Sequence, residues 1–172
     1  MIALFLGGAN SGKSRAAELR AAQLGAELTY LATWRRRSGA PDPEMEGRVA
    51  RHRTRRPSTW SVRELRDGEA LGDVLRGLRG PVLVDALGTW VAAAPGFEVD
   101  VADLCAALGF RDGSTIVVSD EVGMGVHPST TVGRAFREAM GPLNEAVASI
   151  ADEAWLVVAG RLLSLHPSPW EN

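Results

Sequence analysis

Short apolar runs alternate along this chain with longer stretches in which apolar and polar residues mix at helical spacing. Ile2 to Leu6, Leu28 to Ala32, Val82 to Val84, Ile116 to Ser119 and Trp155 to Ala159 are near-continuous hydrophobic runs. Strands of a sheet covered on both faces have this composition, because neither side of the strand meets water. Lys13 to Leu24 is rich in Ala and Leu and stops at Gly25, a residue suited to the conformation just past a helix end. Glu44 to Arg53 starts after Pro43, with acids at its beginning and bases at its end, which complements the helix dipole. Thr131 to Ile150 is helical in pattern, and Pro142 predicts a kink or a division within it. Strands alternating with helices predict an α/β fold with a mainly parallel sheet, right-handed crossovers and helices on both faces. Arg35 to Pro43 and Ala94 to Gly96 read as surface loops, and His166 to Asn172 as an irregular tail.

Composition narrows the class. The 172 residues are expected to form one domain, large enough to bury a core without cross-links. Hydrophobic residues make up 45% and charged residues 23%, the balance of a globular protein. A net charge of -2 gives no whole-molecule attraction to nucleic acid or to an anionic membrane. The one cysteine, Cys105, excludes an internal disulfide, and its apolar neighbours point to a structural rather than a reactive thiol. Met1 to Leu6 lacks the basic start of a signal sequence and runs directly into Gly7. No apolar run approaches the ~20 residues of a membrane span, so a cytoplasmic protein is expected.

The chemistry is concentrated in a few places. Gly7-Gly8-Ala9-Asn10-Ser11-Gly12-Lys13-Ser14 fits the P-loop pattern at every fixed position, between an expected strand and an expected helix. Such a loop turns backbone N–H groups inward onto phosphate oxygens, and the helix N-terminus adds positive potential. Lys13 is expected to reach the β- and γ-phosphates of a nucleoside triphosphate, and the Ser14 hydroxyl to ligate Mg²⁺. A carboxylate near that metal is also needed, and Asp85, at the end of the run Val82 to Val84, is placed to supply it. Ser119 to Pro128 follows another buried run. Its acids and two glycines suit either a substrate-facing loop or a plain exposed turn. His52 lies among Arg51, Arg53, Arg55 and Arg56, a dense basic cluster in a slightly acidic chain. Residue type alone leaves nucleophile, phosphate ligand and surface residue all open for it.

Together these motifs resemble the bifunctional adenosylcobinamide kinase/adenosylcobinamide-phosphate guanylyltransferase family of cobalamin biosynthesis. The resemblance is carried by the P-loop with Arg15 after it and by Tyr30-Leu31-Ala32-Thr33. It extends through Met45 to Arg53 with Arg56-Pro57 and Trp60, and through Glu121-Val122-Gly123-Met124-Gly125-Val126-His127-Pro128. Phe136-Arg137, Asn144 and the stretch Ala151 to Gly160 complete it, so it runs nearly end to end. It implies a P-loop, RecA-like fold and a trimer. The implied activities are phosphorylation of adenosylcobinamide by ATP or GTP, then transfer of GMP from GTP to adenosylcobinamide phosphate. By motif position His52 is the residue that becomes guanylylated. The resemblance implies nucleotide contacts at the P-loop, at Thr33, Trp34 and Arg35, at Arg53, Thr54, Arg55 and Arg56, at Glu64 and at Asp85. Asp85 or Glu121 is available to take the acceptor hydroxyl's proton. A single-activity enzyme of the same pathway, or a P-loop switch acting on a protein partner, are the alternatives. The switch is disfavoured because no Asn-Lys-x-Asp motif for reading guanine is present. Relative to the family, the segment from Ala92 to Asp103 is short and the Arg35 to Pro43 stretch long and basic.

Overall fold

The structure is a computed structural model, and it describes residues 1–25, 27–34, 47 and 56–167. The strands are β1 (Ile2–Gly7), β2 (Thr29–Ala32), β3 (Ser61–Glu64), β4 (Val82–Asp85), β5 (Thr115–Asp120), β6 (Glu153–Val158) and β7 (Arg161–Leu165). The helices are α1 (Lys13–Ala22), α2 (Leu71–Gly77), α3 (Leu87–Ala93), α4 (Val101–Phe110) and α5 (Thr131–Ser149), with a 3₁₀ turn at Pro95–Phe97. The seven strands form one sheet in the order β3-β2-β4-β5-β1-β6-β7. Every neighbouring pair is parallel except β6 with β7, which is antiparallel. The expected mainly parallel α/β fold is the one observed.

Alternation along β1 explains why both faces are covered. Ile2, Leu4 and Leu6 pack into one core with residues of α2, α3, α4 and α5, including Leu75, Leu87, Leu104 and Leu143. Ala3 and Phe5 point the other way, into a second core with Ala17 and Ala21 of α1. All six residues of β1 are buried, which is why its sequence reads as an unbroken apolar run. Burying a large side chain such as Phe5 contributes about 1.5–3 kcal/mol.

Local signals set the helix starts. The Asp100 side chain accepts from Asp103 N at 2.8 Å and caps α4. The Thr130 hydroxyl accepts from Gly133 N at 3.1 Å and caps α5. Of the kink or division expected at Pro142, the division does not occur: α5 runs across it as one helix of 19 residues. Pro142 and Glu138 both lie on the exposed side, so water can take the Glu138 carbonyl that loses its donor. Met140, Leu143 and Val147 meanwhile bury both halves of the helix in one core. The segment that is short for the family holds the end of α3, the 3₁₀ turn and the start of α4. The helix expected over Glu44 to Arg53 lies outside the described residues, apart from the helical Gly47. Among the described residues no helix is long and apolar enough to cross a membrane.

Candidate active site

The sheet order decides what meets at the carboxyl ends of the strands. β1 delivers the P-loop between β5 on one side and β6 on the other, and β4 stands beyond β5. Open α/β sheets bind ligands at this edge.

The loop from Gly7 to Ser14 wraps the start of α1. Gly12 takes φ 95°, a left-handed conformation that costs a side-chain-bearing residue strain. A Cβ there would also press on Gly160, whose N–H donates to the Ser11 carbonyl at 2.8 Å and ties the β6–β7 turn to the loop. Gly8, Ala9 and Asn10 are exposed, whereas Lys13 and Ser14 are buried.

Lys13 is 2% exposed, yet its ammonium is well supplied with partners. It pairs with Asp120 Oδ1 at 2.8 Å and donates to the Gly8 carbonyl at 3.1 Å. A buried charge is tolerable only with partners of this quality, and removing one typically costs about 3–5 kcal/mol. Asp120 ends β5, with its backbone carbonyl held by Asn144 Nδ2 at 3.0 Å. Asn144 Oδ1 in turn accepts from Ser119 Oγ at 2.6 Å. Gly88, in the first turn of α3, makes room for Asp120, since a Cβ there would overlap the carboxylate.

Asp85, at the end of β4, accepts from Ser14 Oγ at 3.2 Å through Oδ1 and from the Tyr30 hydroxyl through Oδ2. Burial, then the adjacent Asp85 charge and hydrogen bond, raises the Tyr30 pKa far above the ordinary phenol range. Tyr30 is therefore a permanent donor that fixes the carboxylate's orientation. The Arg56 guanidinium lies over the Tyr30 ring, 3.3 Å from its centroid. Ser14 Oγ and Asp85 thus present two oxygens beside the P-loop, the donor type that a hard divalent cation takes.

Thr33 is fully buried. Its hydroxyl contacts Thr89 Oγ1 at 2.7 Å, accepts from Ala86 N at 3.0 Å and also bonds the Ala86 carbonyl. It therefore clamps the joint between β4 and α3 just past Asp85. Glu64 ends β3 at the same sheet edge, exposed and in register with Ala32, and Trp34 follows β2 there. Arg35, His52, Arg53, Thr54 and Arg55 lie outside the described residues. Glu121 is turned into its own loop, where Oε1 accepts from Gly123 N at 2.5 Å and Met124 N at 3.1 Å. The Arg137 guanidinium meets His127 Nδ1 at 2.9 Å, and Arg134 donates to the Pro128 carbonyl at 3.0 Å, anchoring the loop on α5. Cys105 is half-buried on α4, and burial raises its thiol pKa, the opposite of activation.

Two contributors were not singled out from the sequence. Tyr30 acts through the pairing of β2 with β4, which no local signal reveals. Asp120 ends an apolar run as Asp85 does, so the criterion that selected Asp85 applies equally to it.

Comparison with known proteins agrees with this geometry. Residues 3–165 match the family described as cobinamide kinase/cobinamide phosphate guanyltransferase. The chain is 36% identical over 175 residues to the bifunctional adenosylcobalamin biosynthesis protein CobP of Pseudomonas aeruginosa, covering 96% of this chain and 98% of that one. It is 32% identical over 184 residues to the bifunctional adenosylcobalamin biosynthesis protein CobU of Escherichia coli, covering 93% and 97%. The CobU protein of Salmonella typhimurium is likewise 32% identical over 180 residues, with 93% and 97% covered. With its P-loop closed on two strand-end carboxylates and a match spanning nearly its whole length, the chain belongs to the cobinamide kinase/cobinamide phosphate guanyltransferase family.

Proposed function

We propose that this chain phosphorylates the aminopropanol hydroxyl of adenosylcobinamide with ATP or GTP. It then transfers GMP from GTP to the new phosphate through a guanylylated His52, giving adenosylcobinamide-GDP and pyrophosphate. The observation that carries the reading is the pairing of buried Lys13 with Asp120 and of buried Ser14 with Asp85 at the P-loop of a member of this family.

Phosphoryl transfer needs little covalent chemistry from a protein and much positioning and charge neutralisation. The P-loop amides and the N-terminus of α1 hold the phosphates, and Lys13 grips the β- and γ-oxygens. Ser14 and Asp85 are the residues that would hold Mg²⁺, which when bound offsets the phosphate charge. In guanylyl transfer, a neutral His52 imidazole forms a bond to the α-phosphorus of GTP while the bond to pyrophosphate breaks. The phosphate oxygen of adenosylcobinamide phosphate then displaces the imidazole. Arg53, Arg55 and Arg56 suit the charge that develops on the leaving pyrophosphate. Trp34, Arg35, Thr54 and Glu64 complete the nucleotide contacts in this reading, with the buried Thr33 bracing the strand end behind them. A trimer in the cytoplasm, without nucleic-acid or membrane partners, completes the proposal.

The direct test of the kinase half is transfer of label from γ-labelled ATP to adenosylcobinamide. Lys13→Ala is expected to reduce that transfer at least ~100- to 1,000-fold, the loss typical of a preorganised charge on the reacting group. Unchanged transfer in the variant would put the chemistry at another site.

A further inference from the structure

We propose that Asp120 is the catalytic residue that orients the acceptor hydroxyl and takes its proton during phosphoryl transfer, an assignment that rests on the kinase reading above.

Three acids stand at the ends of β4 and β5 beside the P-loop, and their engagements differ. Asp85 has one oxygen on Ser14 and the other on Tyr30, so it belongs to the metal side of the site. Glu121 faces inward on the amides of Gly123 and Met124. Asp120 is held, among the described side chains, by Lys13 alone, through Oδ1 at 2.8 Å. Its side chain is 23% exposed, against 3% for that of Lys13, so it lies on the open side of the pair.

That pair cannot survive substrate binding unchanged. Lys13 must turn its ammonium to the β- and γ-phosphate oxygens, as a P-loop lysine does. The Asp120 carboxylate then shares that cation with a phosphoryl group. One ammonium bridging both groups sets carboxylate and phosphate oxygens about 4.5 Å apart, because two charge-assisted hydrogen bonds of ~2.8 Å leave the nitrogen at the tetrahedral angle. This gap fits one hydroxyl oxygen, in hydrogen-bond reach of the carboxylate and in attacking distance of phosphorus. The carboxylate is also preorganised, because Asn144 fixes the strand end and Gly88 leaves it room. Beyond it the loop presents Met124, 70% exposed, and Val126, 96% exposed, apolar surface on which a bulky acceptor can lie.

The step balances without further reactants. The acceptor oxygen forms a bond to the γ-phosphorus, the bond from that phosphorus to the β–γ bridging oxygen breaks, and nucleoside diphosphate leaves. The hydroxyl proton passes to an Asp120 oxygen and from there to solvent.

The experiment uses the full chain with Mg²⁺, saturating ATP and adenosylcobinamide, comparing wild type with Asp120→Asn and Asp120→Glu. Asp120→Asn is expected to lower kcat at least ~100-fold, the contribution of a positioned base. Its nucleotide Kd should stay level or tighten, because Lys13 no longer has a competing anion. Asp120→Glu, which restores a carboxylate, should recover at least tenfold over the asparagine variant. Asp120→Asn with kcat within threefold of wild type would overturn the assignment. So would loss of nucleotide binding in step with the rate in both variants, which would make Asp120 a structural partner of Lys13. A wild-type chain that moves no phosphate would remove the kinase reading itself, and this assignment with it.

Discussion

The centre of the sheet and its β7 margin are built differently. Around β1, β4 and β5 the strands are buried almost to their ends, and the last residues carry charge that is already engaged: Lys13 on Asp120, Ser14 on Asp85. At the far margin β7 is exposed along its whole length, Leu162 and Leu163 face outward, and the Arg20–Glu153 pair sits half in water. Charges held in a rigid, poorly hydrated edge keep fixed positions and strong fields, which catalysis needs. Charges at the margin are screened and contribute little.

The sharpest way to break that contrast is to damage the packing in each region. Phe5→Ala beneath the P-loop is expected to cost about 3–5 kcal/mol in urea unfolding, as emptied aromatic sites do. Leu163→Ser on β7 should shift the monomer's stability by no more than ~0.5 kcal/mol. Equal losses would mean that the margin is as tightly packed as the centre.

A smaller effect sharpens the comparison from the side of charge. The hydrogen bond from Arg20, helped by the Trp155 N–H, holds the Glu153 carboxyl below its ordinary pKa. A lowered carboxyl stabilises the fold at pH values above its unfolded pKa. That contribution is lost as pH falls through the lower folded value, so the window lies below about pH 4.5. Glu153→Gln should therefore cost at most about 1 kcal/mol at pH 7, and the difference from wild type should shrink on acidification below that window. Thermal unfolding at both pH values reads it, and a difference that grows on acidification would contradict the assignment.

The same physical contrast explains what the sequence reveals. Runs such as Ile2 to Leu6 and Ile116 to Ser119 announce strands because both their faces are covered. β3 and β7 are edge strands with mostly exposed residues, so Ser61-Val62-Arg63-Glu64 and Arg161-Leu162-Leu163-Ser164-Leu165 carry no such mark. The seven-residue helices α2 and α3 are too short for a helical period to stand out. At the site, Lys13 and Ser14 follow from a contiguous motif, and Asp85 from its place after an apolar run. Tyr30 and the Lys13–Asp120 pair depend on which strands are neighbours. Hydrophobic pattern fixes each strand's burial but not the order β4-β5-β1 that puts Asp120 beside the P-loop. Thr33 shows the converse: the resemblance implies a nucleotide contact there, and its side chain is buried on Ala86 and Thr89.

The central claim, that one chain carries out both transfers, is tested most directly by covalent labelling combined with a kinase assay. Wild-type protein incubated with Mg²⁺ and α-labelled GTP, then denatured, is expected to retain label that is acid-labile and base-stable, as a phosphoramidate is. His52→Ala should carry no label yet still phosphorylate adenosylcobinamide at the wild-type rate. Absence of label on the wild type, or equal label on His52→Ala, would contradict the account.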